Sequence, residues 1–141
     1  MEWSAARDAW AFEQAWPVLA RAVGRPDRDH ARVRALYLGE TAGACLFTLG
    51  PTAAPDGVIG IRPGSCGEIL HIAVAADRAR QGIGRALLQA AFTRYPDVRV
   101  WKAETDDDAV EFYRRVGFSV KELPPTYPGV TRYRCVLGPN D

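Results

Sequence analysis

The chain lacks a metal or redox signature. Of its 141 residues only three are cysteines, Cys45, Cys66 and Cys135, far apart and with no CxxC pair, which argues against a zinc knuckle or a dithiol motif. They are expected to be small buried hydrophobes in a reducing compartment. Charge of one sign is missing too. Eighteen Lys and Arg face 17 Asp and Glu, a net charge of +1, so no broad field points to nucleic acid or an anionic membrane. No apolar run approaches the ~20 residues that span a bilayer. The opening "MEWSAARDAW" has neither the basic nor the apolar region of a secretory signal, so the expected location is cytoplasmic. Repeats and low-complexity tracts are absent. What is present is 48% hydrophobic and 25% charged, the balance of a globular chain, and its length predicts a single domain over 1–141.

Periodicity predicts helices over 3–23, with Trp10, Phe12, Trp16, Leu19 and Val23 at helical spacing and Pro17 splitting the stretch in two. Trp3, Trp10, Trp16 and Trp101 suggest an aromatic acceptor pocket as one reading, with Trp10 and Trp16 expected rather in the core. "GRPDRDHAR" reads as a polar loop. "VRALYL" and "ACLFTL" read as a hairpin about "GETAG", and "VIGI" and "EILHIAV" as the next strands. A helix follows, with Ile83, Leu87 and Ala91 in one inward row, Leu88 and Phe92 beside them, and Arg85, Gln89 and Thr93 outward, stopped by Pro96. "VRVWKAE" predicts a strand, "TDDDAVEFYRRVGF" a short helix ending at Gly117, and "FSVKEL" and "TRYRCVL" two last strands. The sum is a mixed α/β sheet with helices on its faces.

"RARQGIGRALLQAAF" carries the chemistry. A glycine turn between a strand and a helix exposes the first backbone N–H groups of that helix, which have no internal partner and favour an anion. Gly82 and Gly84 would let a phosphate approach, and Arg78, Arg80 and Arg85 add positive charge. A plain tight turn has the same look. A dinucleotide site is one reading, with Glu104 as the acid about 20 residues on, but the third glycine of G-x-G-x-x-G is Leu87 here. A P-loop is excluded because no G-K-S/T follows.

A second motif lies downstream: Asp106, Ala109, Phe112, Tyr113, Gly117 and Phe118. Together with Gly82-Ile83-Gly84 it resembles the Gcn5-related N-acetyltransferases, over residues 68 to 118. That resemblance implies a mixed, splayed sheet with helices on both faces. It implies acetyl-CoA as cosubstrate, no metal, and transfer to a small-molecule or peptide amine in a ternary complex. Ile72, Ala73 and Val74 would lie along the pantetheine, and Ala79, Arg80, Gln81, Gly82, Ile83, Gly84 and Arg85 would cradle the pyrophosphate. Asp106 and Phe112 would complete the cofactor site. Tyr113 would protonate the leaving sulfur, since a phenol is protonated at neutral pH.

The base is open between Glu68, fourteen residues before Gly82, His71 and water. Strict strand alternation would put Glu68 and His71 on opposite faces. Two departures stand out: the family's Gln or Arg is Ala79 here, flanked by Arg78 and Arg80, and its usual Asn is Asp106. Asp106, Asp107 and Asp108 lack the spacing of a calcium loop and read as helix-dipole partners. No nucleic acid or membrane partner is expected; homodimers are common in the family. Two rivals stay open: a non-catalytic acyl-CoA-binding domain, and a dinucleotide-dependent oxidoreductase fragment.

Overall fold

The computed structural model describes residues 2–39 and 43–138. The chain opens with a strand, β1 (Trp3–Ala5), then α1 (Ala9–Leu19), a 3₁₀ turn (Ala20–Ala22) and α2 (Pro26–Leu38). Strands β2 (Cys45–Leu49), β3 (Gly57–Arg62) and β4 (Cys66–Val74) follow, then α3 (Ile83–Arg94), β5 (Val100–Asp106), α4 (Val110–Arg115), β6 (Ser119–Glu122) and β7 (Arg132–Leu137). The strands form one sheet in the order β1-β2-β3-β4-β5-β7-β6. Every pairing is antiparallel except β4 with β5. Among the described residues no helix is long and apolar enough to cross a membrane.

Helices cover both faces. On one face α3 lays Ile83, Leu87, Leu88 and Ala91 against Ile59, Ile69 and Trp101, each large side chain contributing about 1.5–3 kcal/mol by leaving water. On the other face Phe12, Leu19, Val33 and Tyr37 from α1 and α2 pack with Leu46 and Val58.

The N-terminal third departs from the sequence reading. Residues 3–5 pair with β2, and Trp3 stacks on Phe47 with ring centroids 4.6 Å apart. α1 runs through Pro17 rather than breaking there. Pro17 and Glu13, whose carbonyl loses its donor, both lie on the exposed side, where water can replace the missing bond. The expected loop and first hairpin strand are instead the single helix α2, which starts with Pro26 at its first turn beside Asp27 and Asp29, a favoured helix start. Its inward face is Asp29, Val33 and Tyr37, spaced four apart. The turn expected between the hairpin strands falls partly on residues 40–42, outside the described residues. Trp10 is 56% exposed rather than in the core, and Trp16 is half-buried, edge-on to His30. Of the cysteines only Cys135 is buried; Cys66 is exposed.

Candidate active site

Two features of β4 shape the site. The first is a splay. β4 and β5 pair only from Cys66↔Val100 to Ile69↔Ala103, although β4 continues to Val74 and β5 to Asp106. The edge of β4 beyond Ile69 that faces β5 therefore lacks a strand partner, and a gap opens between the strands. The second is a bulge. Gly60 pairs with His71 while Ile61 pairs with Ile69, so Leu70 is an extra residue. A bulge resets side-chain alternation. Leu70 joins the cluster under α1 and α2, and His71 reaches Tyr37 of α2. His71 thus returns to the face that Glu68 occupies, against the alternation expected from the sequence.

A cleft of about 720 Å³ lies on the α3 side of the gap. Ile72, Ala73 and Val74 form one wall, and Ala79, Arg80, Gly82, Ile83, Gly84 and Arg85 the next. Phe112 of α4 and Val116, just past its end, close it. Of the nine residues from this segment expected to touch a cofactor besides Gln81, all line this one cleft; Gln81 is exposed and does not. Gly82 caps α3 with φ +77° and Arg80 has φ +66°, a left-handed conformation that costs a non-glycine residue about 1 kcal/mol or more. The first turn of α3 closes with Ala86 N–H donating to the Gly82 carbonyl at 3.0 Å. The amides of Ile83, Gly84 and Arg85 precede that bond and have no acceptor within the helix.

The two glycines do different work. Around Gly82 a side chain would meet nothing within 4 Å, so its conformation is what matters. At Gly84 a Cβ would stand 2.8 Å from Cε1 of Phe112. The bare Gly84 is therefore filled by the Phe112 ring, a packing role the motif alone does not reveal. Arg78, one of the two residues flanking Ala79, donates from Nε to Asp56 at 3.1 Å; Arg80 and Arg85 carry no ion pair among the described residues.

A second cavity of about 720 Å³ adjoins the first. They share Ile72, Asp108 and Ala109. Tyr113 lines this second cavity, as does Asp106, which was expected on the cofactor side instead. Asp106 Oδ1 accepts from the Asp108 N–H at 3.0 Å and so shapes the turn into α4. The Tyr113 ring is 3% exposed, set edge-on between Phe112 and Phe118 at 5.4 and 5.2 Å. Burial pushes its phenol well above the ordinary value, with a smaller push from Cys135, so it stays protonated.

Glu68 does not line this cavity. It accepts from Arg62 Nη1 at 3.0 Å and lies in a depression of about 200 Å³ that meets the cavity at Glu104. The four tryptophans, weighed as an acceptor pocket, do not line the cavity either.

His71 does line it. Burial, and then the charge of Arg32, lowers its pKa to about 4. Its Nδ1 lies 2.5 Å from the Tyr37 hydroxyl. The Tyr37 phenol is pushed up by burial and has no other acceptor among the described residues, so it donates to Nδ1 and the imidazole proton resides on Nε2. With Nδ1 occupied, the neutral His71 offers its Nε2–H as a donor. In the unfolded chain a histidine takes its proton near pH 6.5. Stability is therefore full above about 6.5 and declines as pH falls towards 4. Nitrogen-15 NMR is expected to show His71 neutral at pH 6 with its proton on Nε2. A protonated ring at that pH, or a proton on Nδ1, would contradict the assignment.

The sequence reading missed Arg21, Arg32, Asp108, Arg132 and Tyr37. Arg32 stands on α2, where a loop was expected, Arg21 in a 3₁₀ turn where a helix was expected, and Arg132 at the start of the expected last strand; Tyr37 is joined to His71 by the bulge.

A splayed parallel strand pair thus has an amide-lined cleft on one side and a charged cavity on the other. The chain belongs to the acetyltransferase (GNAT) family, whose profile matches residues 1–118. Its fold is that of a GNAT-family protein from Desulfovibrio desulfuricans, at 21% identity over 97% of this chain and 98% of that one, TM-score 0.81. It is also similar to Tetrahymena GCN5, at 15% identity over 100% and 99% of the two chains, TM-score 0.74. A Bacillus subtilis acetyltransferase solved in complex with CoA matches at 15% identity over 97% of each chain, TM-score 0.70. No curated protein sequence matches the chain.

Proposed function

We propose that the protein moves an acetyl group from acetyl-CoA to a primary amine, the two meeting directly in a ternary complex. The observation that carries this reading is the junction of the two cavities at Ile72, Asp108 and Ala109, with Tyr113 lining the second. Acetyl-CoA supplies an activated acyl group. The chain supplies the rest. The free amides of Ile83 to Arg85 and the side chains of Arg80 and Arg85 suit a pyrophosphate, and Ile72, Val74, Ile83 and Phe112 give an apolar wall for the pantetheine. The Bacillus subtilis relative, solved with CoA, has this fold.

At the junction an unpaired edge of β4 offers backbone N–H groups to a carbonyl oxygen. Tyr113 donates its phenolic proton to the departing sulfur. Asp108, the one carboxylate lining both cavities among the described residues, receives the amine. In this reading Glu68, one depression away across Glu104, draws the amine's proton through water.

The test is calorimetry with acetyl-CoA beside a thiol-release assay over a broad amine panel. Binding with release from at least one amine is expected. Binding without release from any would make the chain an acyl-CoA-binding domain, and nicotinamide dinucleotide binding in place of acetyl-CoA would overturn the reading altogether.

A further inference from the structure

We infer that the acceptor is a small zwitterion whose carboxylate is held by Arg21, Arg32 and the Nε2–H of His71 while its ammonium faces Asp108. This rests on the acetyl-transfer reading and names the class of its second substrate.

The cavity is polarised. Arg21, in the 3₁₀ turn, and Arg32, in α2, line the helical wall. Arg21 is anchored by its Nε, which donates to the Val74 carbonyl at 3.0 Å; the terminal nitrogens of its guanidinium take no part in that bond. Arg32 has only a shared partner. Its Nη2 stands 3.4 Å from Asp29 Oδ2, while Arg28 holds both oxygens of that carboxylate at 2.9 and 3.2 Å. The helical wall therefore keeps a surplus of positive charge.

His71 adds a neutral donor to that wall, because Tyr37 occupies its Nδ1. Arg32 and His71 line the same cavity, and the Arg32 charge, after burial, lowers the imidazole's pKa. Guanidinium groups beside an N–H donor match a planar carboxylate.

The opposite wall carries Glu104, Asp106 and Asp108. Glu104 is paired with Arg134 at 3.3 Å. Asp106 stands opposite Arg132 in the β5–β7 ladder. Asp108, at the junction, has no ion pair among the described residues. An ammonium is drawn to the point where transfer takes place, and a carboxylate to the far wall. Polycationic acceptors are disfavoured, since their second charge would meet the arginines.

The experiment compares thiol release for the common amino acids, their carboxamides and the corresponding decarboxylated amines, with acetyl-CoA affinity measured in parallel. At least one amino acid is expected to exceed both its amide and its decarboxylated amine in kcat/KM by about tenfold or more. Arg32→Gln, a change on an exposed side chain, is expected to raise KM for that amino acid by a similar factor. It should leave acetyl-CoA affinity unchanged and should not raise KM for the decarboxylated amine. Amides or plain amines turned over as well as the acids, or an Arg32→Gln effect equal for all acceptors, would overturn the inference and leave acetyl transfer standing. Acetyl-CoA binding with no turnover of any of these compounds, or of a wider amine panel, would overturn both.

Discussion

Replacing Tyr113 by phenylalanine is expected to lower kcat by about 10²-fold while leaving acetyl-CoA affinity unchanged. General acid catalysis contributes typically about 10²–10⁴-fold. The low end applies for a reason visible in the site. Burial raises the Tyr113 phenol above its ordinary value of 10, which makes it a weaker acid, and a thiolate with an ordinary pKa near ~8.5 leaves without much help. The same burial disfavours the free thiolate in the site, so the proton still matters. The variant isolates the hydroxyl, because the ring and its edge-on contacts with Phe112 and Phe118 are retained. Since the phenol is raised, no alkaline decline in kcat from Tyr113 is expected below about pH 10. Steady-state rates with the best acceptor decide the matter. Wild-type turnover by Tyr113→Phe would reduce Tyr113 to a core aromatic.

The parts of the site that follow from local geometry were legible in the sequence. Gly82 before an apolar-striped segment predicts a helix start with free amides, and α3 begins at Ile83. Nine of the residues assigned to the cofactor from that motif and the preceding strand line one cleft. The second cavity was less legible because non-local events build it. His71 faces it only because Leu70 is bulged, and no spacing in "EILHIAV" announces a bulge. Arg32 stands on α2, whose sequence mixes charged residues with a β-branched and aromatic run. Tertiary packing overrides that weak strand preference. The signal that could have found α2 is Pro26 at a helix start followed by Asp29, Val33 and Tyr37 four residues apart. Asp108 was read as a dipole partner of α4, which begins only at Val110; its place between the cavities depends on the splay of β4 from β5.

The splay also explains why Phe112 matters. Gly84→Val is expected to weaken acetyl-CoA binding by about 100-fold or more, near 2.7 kcal/mol, in a protein that remains folded. A Cβ at residue 84 would lie 2.8 Å from Cε1 and 3.1 Å from Cζ of Phe112, closer than carbon atoms approach in packed proteins. The aromatic ring is stiff, so one of two movements must follow. Either the ring swings into the cleft it lines, or the first turn of α3 backs away with its free amides. Overpacking of this kind costs typically about 1–3 kcal/mol. Phe112 is half-buried rather than central to the core, so that cost falls on the cleft more than on the fold. Gly82→Ala provides the contrast. No atom stands within 4 Å of the added methyl there, but φ is +77°, so its penalty is backbone strain of about 1–2 kcal/mol. A second change separates the causes at residue 84. Adding Phe112→Ala to Gly84→Val removes the clash. Recovery of at least tenfold in affinity by calorimetry would identify the displaced ring as the block. An affinity that stays lost, while Phe112→Ala alone binds acetyl-CoA normally, would mean that the phosphate itself needs the bare backbone at Gly84. Unchanged affinity in the folded single variant would remove the cofactor from this cleft.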